Sequence, residues 1–277
     1  MSLVADTSVP ASPSTWAGQL AESLRGVFLH RRWITFLVIG VVWQVTAMIA
    51  NIGLFPTPAT VIAVSWQYVI TGLFFSELGI SMIRIILGFS AALLLGTIVG
   101  ILMGSWRFWD EFFQDFVILG LSMPALIYAL LCVMVFGLGL TAPVMAIILG
   151  AYPFVAVNIR EGVKSIDKEL LDMSHVYAVD RWRLVRQLIL PSLLPFILAA
   201  IRVGFTVAWK ISVLTEVFGG DSGIGYQIRV DFASFKMRGV LAWGILFGMV
   251  MLTIEYGLLL PAERHFARWR AKVKEVI

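Results

Sequence analysis

A single cysteine, Cys132, occurs in 277 residues, so no intrachain disulfide can form, and its place in an apolar run reads as a packed, inert thiol. Charge is scarce: 14% of the residues are Asp, Glu, Lys or Arg, against about 25% in a soluble domain. The three histidines, His30, His175 and His265, stand far apart with no second ligand three or four positions on, which argues against a metal site. No Gly-x-x-x-x-Gly-Lys-Ser/Thr phosphate loop is present. The run Gly219-Gly220-Asp221-Ser222-Gly223 lacks the lysine and the preceding strand such a loop needs, and reads as a turn. Clustered His, Asp or Glu near an interface, as a membrane enzyme would carry, are missing too, so no catalytic residue and no cofactor is expected.

What fills the chain instead is apolar: 60% of the residues are hydrophobic. The apolar runs are continuous over about 20 residues rather than alternating, which favours helices in lipid over a β-barrel. The expected fold is all-α, a polytopic membrane bundle of about six spans: Ile34–Ala50, Leu78–Met103, Phe112–Phe136, Leu140–Ile159, Leu190–Val213 and Val240–Leu260. Residues 1–33 form a tail ending in an interfacial helix, with Trp16, Leu20, Leu24, Val27 and Phe28 on one face ahead of His30, Arg31 and Arg32. The apolar run after Arg32 is long enough to span and lacks a small-residue cleavage site, so the segment is expected to stay attached. Residues 34–262 make the membrane domain and 263–277 a basic tail.

Of 21 lysines and arginines, 15 fall in the two tails, at Arg107 and in the segment 160–187. The positive-inside rule then puts both termini in the cytoplasm, and nucleic acid is not an expected partner because the cations flank spans rather than form one face. Span two carries Gly88, Ser90, Gly96, Gly100 and Gly104, a stripe of small residues that lets a second helix approach closely. Pro124, Pro143, Pro153 and Pro195 lie in or beside spans, where they bend a helix or free a carbonyl.

The segment 160–187 is too polar to span and too periodic to be slack. Ser165 or Asp167 caps a helix with Ile166, Leu170, Met173 and Tyr177 on one face, and Asp180 caps a second that starts at Arg181. By residue chemistry alone it fits an interfacial hairpin anchored through Trp182 and the arginines as well as a docking element. Its spacing, however, resembles the characteristic loop of binding-protein-dependent ABC importer permeases: Glu-Ala-Ala, a Gly four positions later, and Ile-x-Leu-Pro after nine more. Those places hold Asp172-Met173-Ser174, Ala178 and Leu188-Ile189-Leu190-Pro191. Ala in place of Gly is disfavoured by about 1 kcal/mol where φ is positive, so Val179-Asp180 is expected to take up the turn.

The resemblance runs from about Pro56 to Leu260 and narrows to permeases of the nitrate, sulfonate and taurine type. Ser81-Met-Ile-Arg84-x-x-x-Gly88, Met123-Pro124, Phe136-Gly137-Leu-Gly139 and Ala208-Trp209…Glu216…Gly223-Ile-Gly225-Tyr226 carry it, in order. It implies a cytoplasmic coupling helix that docks in a groove of an ATPase, with Asp172, Met173, Ser174, Tyr177 and Ala178 as the contact. It also implies two cytoplasmic ATP-binding subunits, a second permease copy, an extracytoplasmic solute-binding protein, and placement in a bacterial inner membrane. The solute would be small and anionic, such as a sulfonate, taurine, nitrate or a carboxylate. A secondary transporter or channel is the alternative; a single unrepeated set of spans without a filter-like site speaks against it.

A charge within a span costs about 2.5–3.5 kcal/mol by insertion scales. Glu216 and Glu255 are read as lying near span ends. Arg84, Arg202 and Lys210 are the candidates for the solute pathway. The two arginines recur in the resembling group and are read first as structural partners. Lys210 departs from the group, which mostly has an uncharged residue after Ala-Trp, and a lysine facing a central cavity would concentrate an anion there.

Overall fold

The structure, a computed structural model, describes residues 34–35, 37–49 and 56–266. The interfacial helix expected before Arg32 and the basic tail beyond Phe266 lie outside them. The chain divides into two compact units, Met1–Thr60 and Val61–Ile277. In the first, α1 (Leu37–Ile49) is a short apolar helix within the first expected span. The Trp43 indole N–H donates to the Pro56 carbonyl, 3.1 Å away, so the chain after α1 is tied back to it.

The rest, with α2 (Pro58–Ile70) leading into it, is helical throughout: α3 (Leu73–Ser105), α4 (Arg107–Ser122), α5 (Ala125–Phe136), α6 (Thr141–Lys164), α7 (Lys168–Val176), α8 (Arg181–Gly219), α9 (Ile224–Ala233) and α10 (Met237–Glu263). Among the described residues α3, α6, α8 and α10 are each long and apolar enough to cross a membrane. The expected third span is not one helix. Met123 is extended ahead of Pro124 because the proline ring excludes helical geometry from the residue before it, and α4 and α5 meet at 99°. Counted as one broken span, the pair makes five.

The small-residue stripe of α3 does what its spacing predicts. A Cβ placed on Gly88, Gly96, Gly100 or Gly104 would lie 2.5 to 2.8 Å from the Cβ of Ile147, Val155, Ile159 or Val163 on α6, so the two backbones approach as closely as glycine allows. Around this pair α8 completes the core, with Phe89 set edge-on to Phe205 and Trp209 stacked on Phe247 of α10 at 4.0 Å.

Two π-helical turns interrupt the long helices, Val185–Ile189 in α8 and Glu255–Leu259 in α10. Each is followed by Leu-Pro, Leu190-Pro191 and Leu260-Pro261. A proline N has no hydrogen to return to the carbonyl four residues back, and widening the preceding turn eases the clash of its ring with that carbonyl.

Candidate functional site

The polar residues of the bundle gather in three places, strung along α8. At its C-terminal end the loop into α9 is clasped to α3. Glu216 is fully buried and Arg84 is 3% exposed. Arg84 Nη1 donates to Glu216 Oε1 at 3.1 Å and to the Ser222 carbonyl at 2.7 Å. Its Nη2 donates to Asp221 Oδ1 at 3.1 Å and Ser222 Oγ at 3.0 Å. The other carboxylate oxygen of Glu216 accepts from Ser81 Oγ at 2.8 Å and the Gly225 N–H at 2.9 Å. Ser81 Oγ in turn accepts the Ile224 N–H, 3.0 Å away. Beside it Glu77 accepts from the Gly223 N–H and from Gln227 Nε2.

The motif residues of two separate blocks, Ser81-x-x-Arg84 in one and Glu216 with Gly223-Ile-Gly225 in the other, thus form one network. Gly223, at φ +95°, and Gly225 leave the room it needs: a Cβ on the first would lie 2.7 Å from the Glu216 carboxylate, and on the second 2.5 Å from Glu216 Cβ. Asp221 is the exposed member. The Ser222 hydroxyl, its own backbone N–H and Arg84 together hold its carboxyl below the usual range. Sequence reasoning found the blocks but missed Glu77, Asp221, Ser222 and Gln227 as partners; a buried arginine with five donors was the signal that several acceptors must converge on it.

Midway along α8, Lys210 borders a cavity of about 170 Å³ at the α4–α5 break, lined by Met123, Ala125, Tyr128, Gly150 and Val207. It forms no ion pair among the described residues. Tyr128 donates its hydroxyl to the Gly120 carbonyl at 2.9 Å, bridging the two halves of the broken span. Arg202, two turns earlier, is paired with Glu255 at 2.6 Å and with Glu263 at 3.1 Å, so it braces α8 against α10. Of the three pathway candidates the structure pairs the two arginines and leaves the lysine at a cavity.

At the N-terminal end of α8 the loop folds as helix, turn, helix. Asp167 accepts the Glu169 N–H at 2.9 Å and Asp180 the Trp182 N–H at 3.1 Å, so both helices start on an aspartate cap. The turn does not pass to Val179-Asp180. Ala178 itself takes the left-handed conformation, φ +47°, while the Val179 N–H bonds the Ser174 carbonyl at 2.9 Å and the Ala178 N–H the His175 carbonyl at 3.1 Å. These two bonds close a Schellman motif that outweighs the penalty on a Cβ of about 1 kcal/mol. Met173, Val176 and Tyr177 are 52%, 82% and 74% exposed, leaving α7 an apolar outer face, with Asp172 also exposed and Ser174 half-buried, its hydroxyl on the Leu171 carbonyl. The loop is braced from below: Asp110 of α4 accepts from Arg160 Nε and Nη2, at 2.5 and 3.0 Å, and from Lys164 Nζ at 2.7 Å.

The model of a family described as "Binding-protein-dependent transport system inner membrane component" matches residues 92–259, more than half of the chain, taking in α7, Lys210 and Glu216. The taurine transport system permease protein TauC of Escherichia coli is 29% identical over 198 residues, 72% of each chain. The riboflavin transport system permease protein RibX of Chloroflexus aurantiacus is 26% identical over 240 residues, covering 86% of this chain and 89% of its own. A crystal structure of an amino acid ABC transporter shares the fold at a TM-score of 0.59 and 22% identity, over 72% of this chain and 96% of that one.

Proposed function

This chain belongs to the family of binding-protein-dependent transport system inner membrane components, and from that premise we propose that it forms a solute path whose opening is driven by ATPase subunits docked on α7. It is a non-catalytic, multi-pass permease subunit of an ABC importer of the inner membrane and moves a small solute. Two cytoplasmic ATP-binding subunits, a second copy of the chain and an extracytoplasmic solute-binding protein complete the assembly. Six spans place both termini in the cytoplasm, α1 and the α4–α5 pair supplying the first and third.

The observation that carries the reading is the outer face of α7. A nine-residue helix, capped at both ends and presenting exposed Met173, Val176 and Tyr177 with Asp172 beside them, suits a groove in a partner. A short rigid element passes on a displacement with little loss. Leu190 onward in α8 then carries the motion to Lys210 and to the clasp.

The solute we assign to this path is an anion. Lys210 is the one pathway candidate without a carboxylate partner among the described residues, and a cation bordering a cavity raises the local concentration of a sulfonate, carboxylate or oxyanion. Arg84 and Arg202 act as braces.

Affinity capture from membranes tests the docking. A tagged chain is expected to bring down a subunit carrying a phosphate-loop motif, and Tyr177→Ala with Asp172→Arg is expected to lose it while keeping normal membrane levels. Wild-type chain that captures no such ATPase sinks the proposal; capture that survives both substitutions moves the docking surface off α7.

A further inference from the structure

The inner side of α7 closes a second, larger cavity that the transport reading leaves without a role. It holds about 880 Å³ between the ends of α3 and α6, the start of α4, α7 and the start of α8. Its walls divide by chemistry. Ile101, Val163, Ile189 and Leu193 supply an apolar side from the membrane helices, and Ile166 and Leu171 continue it under the loop. Arg107, Lys164 and Lys168 bring three positive charges against the single carboxylate of Asp110, which is already taken by Arg160 and Lys164. Arg107 reaches Glu111 only along its own exposed helix turn, at 92% exposure, and Lys168 has no ion-pair partner among the described residues. Trp106, more than half exposed, stands at the mouth, where an indole sits well between headgroups and hydrocarbon.

The apolar wall of a cavity this large, left facing water, forgoes about 25 cal/mol for each Å² that an apolar occupant would cover. Its occupant needs an apolar tail and an anionic head, since the walls are greasy and the rim carries a surplus of cations. The segment ahead of Ile34 fits poorly, because Arg25, Arg31 and Arg32 would face like charge. We propose that the cavity binds one anionic phospholipid of the cytoplasmic leaflet, its phosphate on Lys168, Lys164 and Arg107 and an acyl chain along Ile101, Val163 and Leu193. The leaflet rests on the proposed orientation of the loop. The lipid lies on the opposite side of α7 from Met173, Val176 and Tyr177, so it backs the helix and does not compete with an ATPase.

The tagged permease, purified in detergent with whatever subunits it captures and titrated with phosphatidylglycerol or phosphatidylcholine under native mass spectrometry, tests this. Phosphatidylglycerol is expected to be retained in preference, and each of Lys168→Gln and Arg107→Gln to lower its retention about fivefold, the worth of one cation near an anionic headgroup. Phosphatidylcholine retention should not change, and Lys168→Arg should restore the preference, which separates loss of the site from misfolding. Equal retention of both lipids, or unchanged phosphatidylglycerol retention in both glutamine variants, overturns the proposal. So does a chain lacking residues 1–33 that gains a lipid the full chain refuses, which would give the cavity to that segment. Retention in detergent does not depend on which side the loop faces. Lipid retained by the permease without any captured ATPase would therefore sink the docking proposed for α7 and leave this site standing.

Discussion

Replacing Arg84 by Met is the sharpest test of the clasp between α3 and the α8–α9 loop. The guanidinium supplies four hydrogen bonds, to Glu216 Oε1, the Ser222 carbonyl, Asp221 Oδ1 and Ser222 Oγ. Its loss leaves Glu216 fully buried with only Ser81 Oγ and the Gly225 N–H as donors. An uncompensated buried carboxylate costs about 3–5 kcal/mol, against a total stability of about 5–15 kcal/mol for an ordinary domain. The variant is therefore expected to unfold at a much lower temperature in detergent, read by tryptophan fluorescence, and to reach the membrane in reduced amount. Arg84→Lys should recover part of this, because one ammonium restores the charge but cannot span acceptors on three residues. The double variant Arg84→Met/Glu216→Leu removes both charges and should be more stable than Arg84→Met alone, the remaining cost being the unpaired Gly225 N–H and Ser81 hydroxyl at about 1–3 kcal/mol each. An unchanged unfolding midpoint in Arg84→Met, or a double variant less stable than the single one, would refute the assignment of this pair as a structural brace.

At the loop, Ala178→Gly relieves a Cβ at φ +47° and is expected to stabilise the turn by up to about 1 kcal/mol; Ala178→Val should do the reverse, and amide exchange in α7 against intact chain distinguishes them. On the α3 stripe, Gly100→Ala brings a Cβ to 2.6 Å from the Ala156 carbonyl oxygen, a backbone atom that cannot step aside. Forcing α3 from α6 should cost about 1–3 kcal/mol and show as a lower thermal midpoint, whereas Gly244→Ala, with open space at its Cβ, should leave it in place. At the cavity beside the α4–α5 break, Lys210→Met should leave folding and membrane level intact and, on the proposed anion path, lower uptake of an anionic solute by vesicles; unchanged uptake would remove the lysine from that path.

What could be read before folding was whatever a residue expresses locally. The glycine stripe of α3, the Asp180 cap and the helix–turn–helix between Lys164 and Pro191 follow from spacing and side-chain chemistry, and all are present, while of the two cap candidates for the first helix, Ser165 and Asp167, Asp167 holds the place. Pro124 marks a bend in the third span, but its size, 99° with the span broken into two helices, is not legible, because hydropathy averages over composition and stays high across a bend. Lys168 and Arg107 drew no attention as a site, since their lining one cavity depends on where α4 and α7 begin. The clasp shows the limit best. Insertion energetics mark Arg84 and Glu216 as each needing a reason, yet the two stand 132 positions apart, and nothing local says that each is the other's reason. Ala178 failed differently: propensity moved the turn to the next residues, while two backbone hydrogen bonds fixed it where the family has glycine.

Helix α8 links these places in one element of 39 residues, about 58 Å at 1.5 Å per residue. From Leu190 on it is held hard on three sides. A Cβ on Gly162 or Gly150 of α6 would strike Phe196 or Ile211 of α8, Arg202 ties it to α10, and Glu216 ties its end to α3. Before Leu190 no ion pair ties it to another helix among the described residues, and between the two stretches lies the π turn, where the Leu190 N–H reaches back to Val185. A wide turn ahead of a proline has a hydrogen-bond ladder that is already broken, so it yields before the braced segment does. A push on α7 would then be divided: part is absorbed as rotation about Val185–Ile189, and the rest moves α8 with α3 and α10 as one body. The lipid cavity lies beside this joint, with Ile189 and Leu193 in its wall. Filling it removes the space into which the loop would otherwise collapse, so more of the push reaches Lys210 and the clasp.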